Sequence, residues 1–139
     1  MLQAALLFAM TIEAPSSCDS EFVQNSWALL QAARYGQTQY EVAAFAVRDI
    51  DDRVTFVRWP FDHRQLEARY KGPIPAHTFA IVHTHPNGHP LPSVDDEATA
   101  RQLGMAVYVL TINSITRSNG KRTEYIVTRE WNPERCEQR

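Results

Sequence analysis

The chain has 139 residues, the length of one ordinary domain with a single hydrophobic core. Its composition is 44% hydrophobic and 22% charged, close to the soluble globular average, so neither a disordered chain nor a membrane-spanning protein is indicated. The formal net charge is −2, and the 14 basic residues are scattered, so the basic surface typical of nucleic-acid-binding proteins is missing. We therefore expect one site in one domain and no nucleic acid as the main partner.

The N-terminus allows two interpretations. Residues 2–12 form an apolar run of the length found in export signals, too short to span a bilayer as a helix. Ala14, Pro15 and Ser16 supply small residues for a cleavage position, whereas no Lys or Arg precedes the run. Residues 1–18 are thus either a signal peptide or the first element of the mature domain. The localisation is accordingly cytoplasmic or, with a signal peptide, periplasmic or secreted.

The two cysteines, Cys18 and Cys136, lie near opposite ends of the chain and form no C-x-x-C pair. This spacing argues against a cysteine zinc site or a thioredoxin-like redox motif. The two residues are either free thiols or, in an oxidising compartment, a disulfide.

The first predicted elements are a helix and a β-hairpin. Asp19 or Ser20 caps the helix, whose apolar residues recur at helical spacing towards Gly36. Residues 40–48 and 54–59 are rich in β-branched and aromatic residues and are joined by a polar turn, a pattern typical of a hairpin. We place Glu41 near the start of the first strand.

The central part of the chain alternates between irregular and regular segments. Residues 60–77 are broken by Gly and Pro and are predicted to be a loop with at most one helical segment around 65–70. Residues 78–84 form a short apolar run that indicates a buried strand. Three prolines in residues 86–92 require a turn, after which Ser93 is predicted to cap a helix that ends at Gly104.

Two further strands are predicted at residues 106–111 and 122–128, the second after the turn Ser118-Asn119-Gly120. Residues 131–139 are predicted to be a solvated C-terminal tail. Trp27, Trp59 and Trp131 are interpreted as core residues. Together the elements predict one α/β domain over residues 19–130, a mixed β-sheet flanked by helices.

A candidate metal site lies at the end of the third predicted strand. Side chains alternate along a strand, so His83 and His85 project from the same face and Thr84 from the other. Asp96 lies one helical turn after Ser93, so both side chains can face the histidines. Two imidazoles and one carboxylate leave a fourth tetrahedral position for water, which is the arrangement of a catalytic zinc site.

The same residues resemble a family signature. His83, His85, Pro86, Ser93 and Asp96 match the pattern H-x-H-P-x(6)-S-x-x-D, which is the signature of the JAMM/MPN (JAB) zinc metallopeptidases. The resemblance is to their prokaryotic type and implies an MPN/JAB-like fold, similar in architecture to cytidine deaminases. It also implies a peptide or isopeptide hydrolase that holds Zn²⁺ with His83, His85 and Asp96.

The resemblance further implies catalytic roles for two residues. An upstream acidic residue on the first strand is the general base in this family, and Glu41 is in the corresponding place, with Glu67 as the poorer choice. Ser93 would donate a hydrogen bond to the developing oxyanion. The implied partner is a peptide or protein substrate, either a ubiquitin-like conjugate or a cell-wall peptide.

Other interpretations remain open at this point. Asp96 could be only a partner of the helix dipole, although Asp95 is better placed for that role, and Ser93 could be only an N-cap. His89 and His77 are not assigned, and His63 is expected at the surface. The alternative functions are a non-enzymatic MPN scaffold, which typically lacks the metal ligands, and a metallohydrolase of a non-peptide amide.

Overall fold

The computed structural model describes residues 20–60, 70 and 72–133, which form a six-stranded mixed sheet with one α-helix on each face. The elements, in chain order, are α1 (Glu21–Ala32), β1 (Ala43–Arg48), β2 (Val54–Arg58), β3 (Thr78–Thr84), α2 (Val94–Leu103), β4 (Ala106–Thr111), β5 (Ser114–Ser118) and β6 (Thr123–Val127). Short 3-10 turns lie at Arg34–Gly36 and Pro86–Gly88. The predicted α/β class is confirmed.

The strand order β2-β1-β3-β4-β5-β6 puts β3 next to the centre of the sheet. All neighbouring strands are antiparallel except β3 and β4, which are parallel and are connected through α2. A parallel pair needs such a crossover, because the chain must return to the other end of the sheet before the next strand starts. The loop after β3 and the first turn of α2 therefore lie at the same edge.

The face covered by α1 contains most of the core. Ser20 caps this helix by accepting from the amide of Val23. The apolar side of α1 packs against small and aliphatic residues on alternate positions of β1, β3, β4 and β5, with buried members Phe22, Val23, Trp27, Leu29, Leu30, Ala44, Ala46, Ala80, Val82, Leu110 and Ile115. This extensive burial fixes the sheet from one side.

The opposite face is covered less completely by α2. Ala100 is the buried residue of this helix, and it packs with Phe45, Ile81 and Val107 from three neighbouring strands. The helix is capped by Ser93 at its start and by Gly104 at its end, where the φ of 61° is the left-handed conformation that favours glycine after a helix. A cleft remains between this helix and the sheet, and it is lined along α2 from Asp95 to Gln102.

Several predicted boundaries are corrected. The first helix ends at Ala32 and is followed by a 3-10 turn, and β1 begins at Ala43, so Glu41 lies two residues before the strand. The strand β5 was not predicted, because its sequence Ser-Ile-Thr-Arg-Ser has little apolar character. It is nevertheless paired on both sides, and the predicted Ser118-Asn119-Gly120 turn joins it to β6.

The interpretation of Trp131 as a core residue is confirmed, so the solvated tail predicted from residue 131 does not begin at this side chain. This side chain is buried, packs edge-on against Trp27 at 5.0 Å and donates from Nε1 to the carbonyl oxygen of Thr111. A large aromatic ring that reaches a core neighbour and satisfies its N–H is more stable buried than solvated. The domain core therefore extends at least to Trp131.

Some predictions concern residues outside the described ranges. They are the signal peptide or first element at residues 1–18, the pairing of Cys18 with Cys136, the surface position of His63, the helical segment around 65–70 and the alternative base Glu67. Within the described part of the chain, the helices are too short or too polar to cross a bilayer.

Candidate metal centre

Three chain segments bring the candidate residues together. Ala43 is paired with His83 across the antiparallel strands β1 and β3, so their side chains point to the same face. Alternation along both segments directs Glu41 and His85 to that face as well. His85 lies just beyond the end of β3 but keeps an extended backbone, with φ −104° and ψ 133°. The predicted convergence of the two histidines is therefore present in the fold.

The distances between the candidate atoms are short. Nε2 of His83 and Nε2 of His85 are 3.0 Å apart. Asp96 Oδ2 lies 3.2 Å from Nε2 of His83 and 3.4 Å from Nε2 of His85. Glu41 Oε1 lies 3.8 Å from Nε2 of His85. All four residues predicted at this point are thus neighbours in space.

Glu41, His83 and His85 form a potential metal-binding triad, with one ligand atom of each residue within 4.8 Å of the others. The two imidazoles are almost completely buried, with exposed fractions of 4% and 6%. The sequence prediction differs from this triad in two ways. It assigns Glu41 a role in proton transfer, and it takes Asp96 as the third metal ligand.

The imidazoles are oriented by backbone groups. Nδ1 of His85 lies 2.9 Å from the carbonyl oxygen of His89. Because a carbonyl oxygen can only accept, Nδ1 carries the proton and the lone pair of a neutral His85 ring lies on Nε2. His83 has a hydrogen bond to the backbone of Tyr108. Such outer contacts are typical of metal-binding histidines.

Asp96 is held by the start of α2. Its Oδ2 accepts from the amide of Ser93 at 2.7 Å, and its own amide donates to Ser93 Oγ at 3.0 Å. These two bonds form a capping box, which satisfies two backbone donors at the helix N-terminus. The predicted capping role of Ser93 is confirmed, and its hydroxyl hydrogen is not used by the capping box.

The charges of the site shift two pKa values in opposite directions. Burial alone lowers the pKa of His83, but the hydrogen bond to Asp96 and the negative charges of Asp96 and Glu41 raise it overall. Burial alone raises the pKa of Asp96, but hydrogen bonds to His83 and His85 and the backbone of Ser93 hold it well below its usual range. The site therefore attracts a positive charge.

A cleft of about 890 Å³ opens beside these residues. Its polar end contains Glu41, His83, His85 and Asp96, and it continues past Ala43 to Trp59. One wall is the face of α2 whose residues have helical spacing, namely Asp95, Ala98, Thr99 and Gln102. The candidate centre is thus open to a ligand from one side.

Two residues that contribute to the candidate centre and its cleft were not identified from the sequence. His89 acts through its backbone carbonyl, for which no side-chain pattern gives a signal. Trp59 was interpreted as core, yet it is only partly buried and lines the cleft. The spacing of residues 95, 98, 99 and 102 could have indicated the cleft wall of α2. His77 is not among the residues of the cleft.

Comparison with known proteins agrees with this geometry. The family model described as prokaryotic homologs of the JAB domain matches residues 22–132. No curated protein matches the chain. The match and the group of Glu41, His83 and His85 are compatible with a metal-dependent hydrolase. Because the matched region covers most of the chain and includes the whole sheet, the protein belongs to the prokaryotic JAB-domain family.

Proposed function

We propose that the protein is a zinc-dependent hydrolase of peptide or isopeptide bonds, with His83, His85 and Asp96 as metal ligands and Glu41 and Ser93 as catalytic residues. The proposal goes beyond family membership, since it names the metal, the bond and the role of each residue.

One observation carries the proposal. Nε2 of His83, Nε2 of His85 and Oδ2 of Asp96 face one another at 3.0, 3.2 and 3.4 Å. When both imidazoles are neutral and their Nδ1 atoms donate to the backbone, these three atoms all present lone pairs. Lone pairs that converge in a buried site repel one another unless a proton or a metal cation lies between them.

The size and chemistry of this group suit zinc. Atoms bonded tetrahedrally to zinc at about 2.0 to 2.2 Å lie about 3.3 to 3.6 Å apart, close to the spacings of the three atoms. Two imidazoles and a carboxylate, without any thiolate, are typical of catalytic zinc sites. Bound zinc would supply a Lewis acid that activates water near neutral pH.

The protein groups then carry the proton. Glu41 lies within 3.8 Å of His85, at the same end of the cleft as the proposed ligands. Its carboxylate accepts a proton from the attacking water and passes it to the leaving amine. The water oxygen bonds to the carbonyl carbon as the C–N bond breaks, so one water is consumed for each bond cleaved.

Ser93 is placed at the rim of the same end of the cleft. Its Oγ accepts from the amide of Asp96 and retains a hydroxyl hydrogen that can donate. We assign this donor to the oxyanion of the tetrahedral intermediate, a contribution worth about 2.7 to 4 kcal/mol in other acyl-transfer enzymes.

The substrate is proposed to be a peptide or a protein conjugate, such as a ubiquitin-like tag or a cell-wall peptide. Two other functions use the same fold, namely a scaffold without activity and a hydrolase of non-peptide amides. The complete set of potential ligands in the cleft favours an enzyme over a scaffold.

Metal analysis combined with a peptide screen tests the proposal. The purified protein is expected to contain about one zinc per chain and to cleave members of a peptide and isopeptide library. A chelator should abolish cleavage, and added zinc should restore it. Zinc-loaded protein that cleaves no peptide or isopeptide would contradict the peptidase function, and in that case a screen of small amides separates the two remaining functions.

A further inference from the structure

We propose that Trp59 and Ala43 form a subsite for an apolar residue that flanks the scissile bond. This inference rests on the proposed peptidase function and adds the class of side chain that the cleft selects.

The strand pairing places the subsite next to the metal centre. The amide of Trp59 donates to the carbonyl oxygen of Ala43 at 2.9 Å, and Ala43 is paired with His83. Residues directly opposite in antiparallel strands share one face, so Trp59, Ala43 and His83 form a row across three strands. Neighbouring strands are about 4.8 Å apart, which separates the backbones of Trp59 and His83 by about 10 Å.

Ala43 makes space in the middle of this row. A methyl group lies between an indole ring on one side and an imidazole on the other, and all three residues line the cleft. The gap above Ala43 is therefore wide enough for one side chain. Its floor continues to Ile81 and Val107, so an apolar side chain is favoured there.

The orientation of the indole is fixed by other aromatic rings. Phe45 lies 5.3 Å and Tyr70 lies 5.4 Å from the Trp59 ring, and Phe45 and Tyr70 contact each other edge-on at 4.8 Å. Phe45 is itself buried on the sheet. An aromatic ring packed in this way loses little entropy on binding a ligand, which suits a recognition role.

The opposite wall is suited to an extended peptide. Thr99 and Gln102 on α2 face the cleft and provide polar side chains that can bond to a peptide backbone. A substrate held between α2 and Trp59 would have its backbone along the cleft and one side chain directed to Ala43.

The test uses the zinc-loaded full chain and a peptide that the wild type cleaves. The residue flanking the scissile bond is changed from Leu to Gly, on either side of the bond in turn, and kcat and KM are measured. Trp59→Ala should raise KM for the Leu peptide about 3- to 10-fold with little change in kcat and should remove the preference for Leu over Gly. Trp59→Phe, which keeps an aromatic wall, should retain the preference.

Trp27→Phe is the matched control, because Trp27 packs on the face of the sheet that α1 covers. It should leave both constants and the preference unchanged, and the zinc content should be equal in all four proteins. Wild-type constants and preference in Trp59→Ala would overturn the subsite, as would a uniform loss of activity accompanied by loss of zinc. If the wild type cleaves no peptide, the proposed function fails first and this inference fails with it.

Discussion

Thr84 and Val42 are joined by two reciprocal hydrogen bonds between neighbouring chain segments. The amide of Thr84 donates to the carbonyl oxygen of Val42 at 2.9 Å, and the amide of Val42 donates to Thr84 Oγ1 at 3.0 Å. Thr84 lies between the two histidines, and Val42 follows Glu41 in the chain. The pair therefore sets the position of the proposed base relative to the proposed ligands.

Thr84→Val should weaken this connection. The substitution keeps the shape of the buried side chain but leaves the amide of Val42 without its acceptor, which should lower the free energy of unfolding by about 1 to 3 kcal/mol. Displacement of Glu41 should reduce kcat by up to about 100-fold while zinc is retained. Urea unfolding and steady-state kinetics measure the two effects. Thr84→Ser, which keeps the hydroxyl, should recover most of the activity, and failure of that rescue would argue against the positioning role.

Asp96→Ala should remove zinc from the protein. The variant lacks the carboxylate oxygen that lies 3.2 and 3.4 Å from the two Nε2 atoms, so only two strong ligands remain in the proposed set. Metal analysis after dialysis against a weak chelator gives the zinc content. Asp95→Ala is the control, since Asp95 is an exposed carboxylate in the same helical turn and should leave the zinc in place. Equal zinc contents in the two variants would exclude Asp96 as a ligand.

The variant Glu41→Gln distinguishes between two roles of Glu41, general base and metal ligand. If Glu41 transfers the proton, the variant should retain about one zinc per chain and lose about 100- to 10,000-fold in kcat. If Glu41 is instead a ligand in the group with His83 and His85, the zinc should be lost together with the activity. Metal content and kcat measured on the same sample decide between the two roles.

The raised pKa of His83 should make zinc binding depend on pH. Zinc needs the neutral imidazole, so the affinity should be greatest above this pKa and should fall as the pH decreases through it. The fall should begin at a higher pH than for a histidine with the ordinary pKa of 6.5. NMR titration of the metal-free protein gives the pKa directly. In Asp96→Asn only the charge of Glu41 and the backbone hydrogen bond to Tyr108 still oppose the effect of burial, so the pKa of His83 should fall, and an unchanged pKa would contradict the assigned cause.

Gly36 should affect the metal site through the backbone. Its φ is +80°, and a Cβ at this position would lie 3.1 Å from the carbonyl oxygen of His85. Gly36→Ala should therefore cost about 1 to 2 kcal/mol of stability and also weaken zinc binding. Gly104→Ala is the matched control, because Gly104 has a φ of +61° and open space around a Cβ. Equal zinc affinities in the two variants would show that the contact with His85 is unimportant.

The parts predicted best from the sequence depend on local patterns. The strand bounds 78–84 and 106–111 agree with the structure, because both are short apolar runs that end at polar or turn residues. The position of Ser93 at the start of α2 follows from its capping chemistry. The proximity of His83, His85 and Asp96 follows because a strand, a short turn and a helix start at fixed spacing bring them together.

The parts missed depend on contacts between distant segments. The contacts that hold Trp131 in the core, with Trp27 on α1 and Thr111 on β4, are indicated by no local pattern at the predicted start of the tail. The strand β5 is stabilised by pairing with β4 and β6 and not by its own sequence preference. The place of Trp59 in the cleft depends on the register of β2 against β1, and a one-residue shift would turn it to the other face.

The oxygen Oδ2 of Asp96 contacts both the helix N-terminus and the two imidazoles. It closes the first turn of α2 through the amide of Ser93, and it faces both imidazoles. Metal binding at the proposed centre and formation of this helical turn are therefore thermodynamically linked, because both depend on the position of the same oxygen atom. Since the same helix forms the wall of the cleft, occupancy of the centre would also determine how rigid that wall is when a substrate arrives.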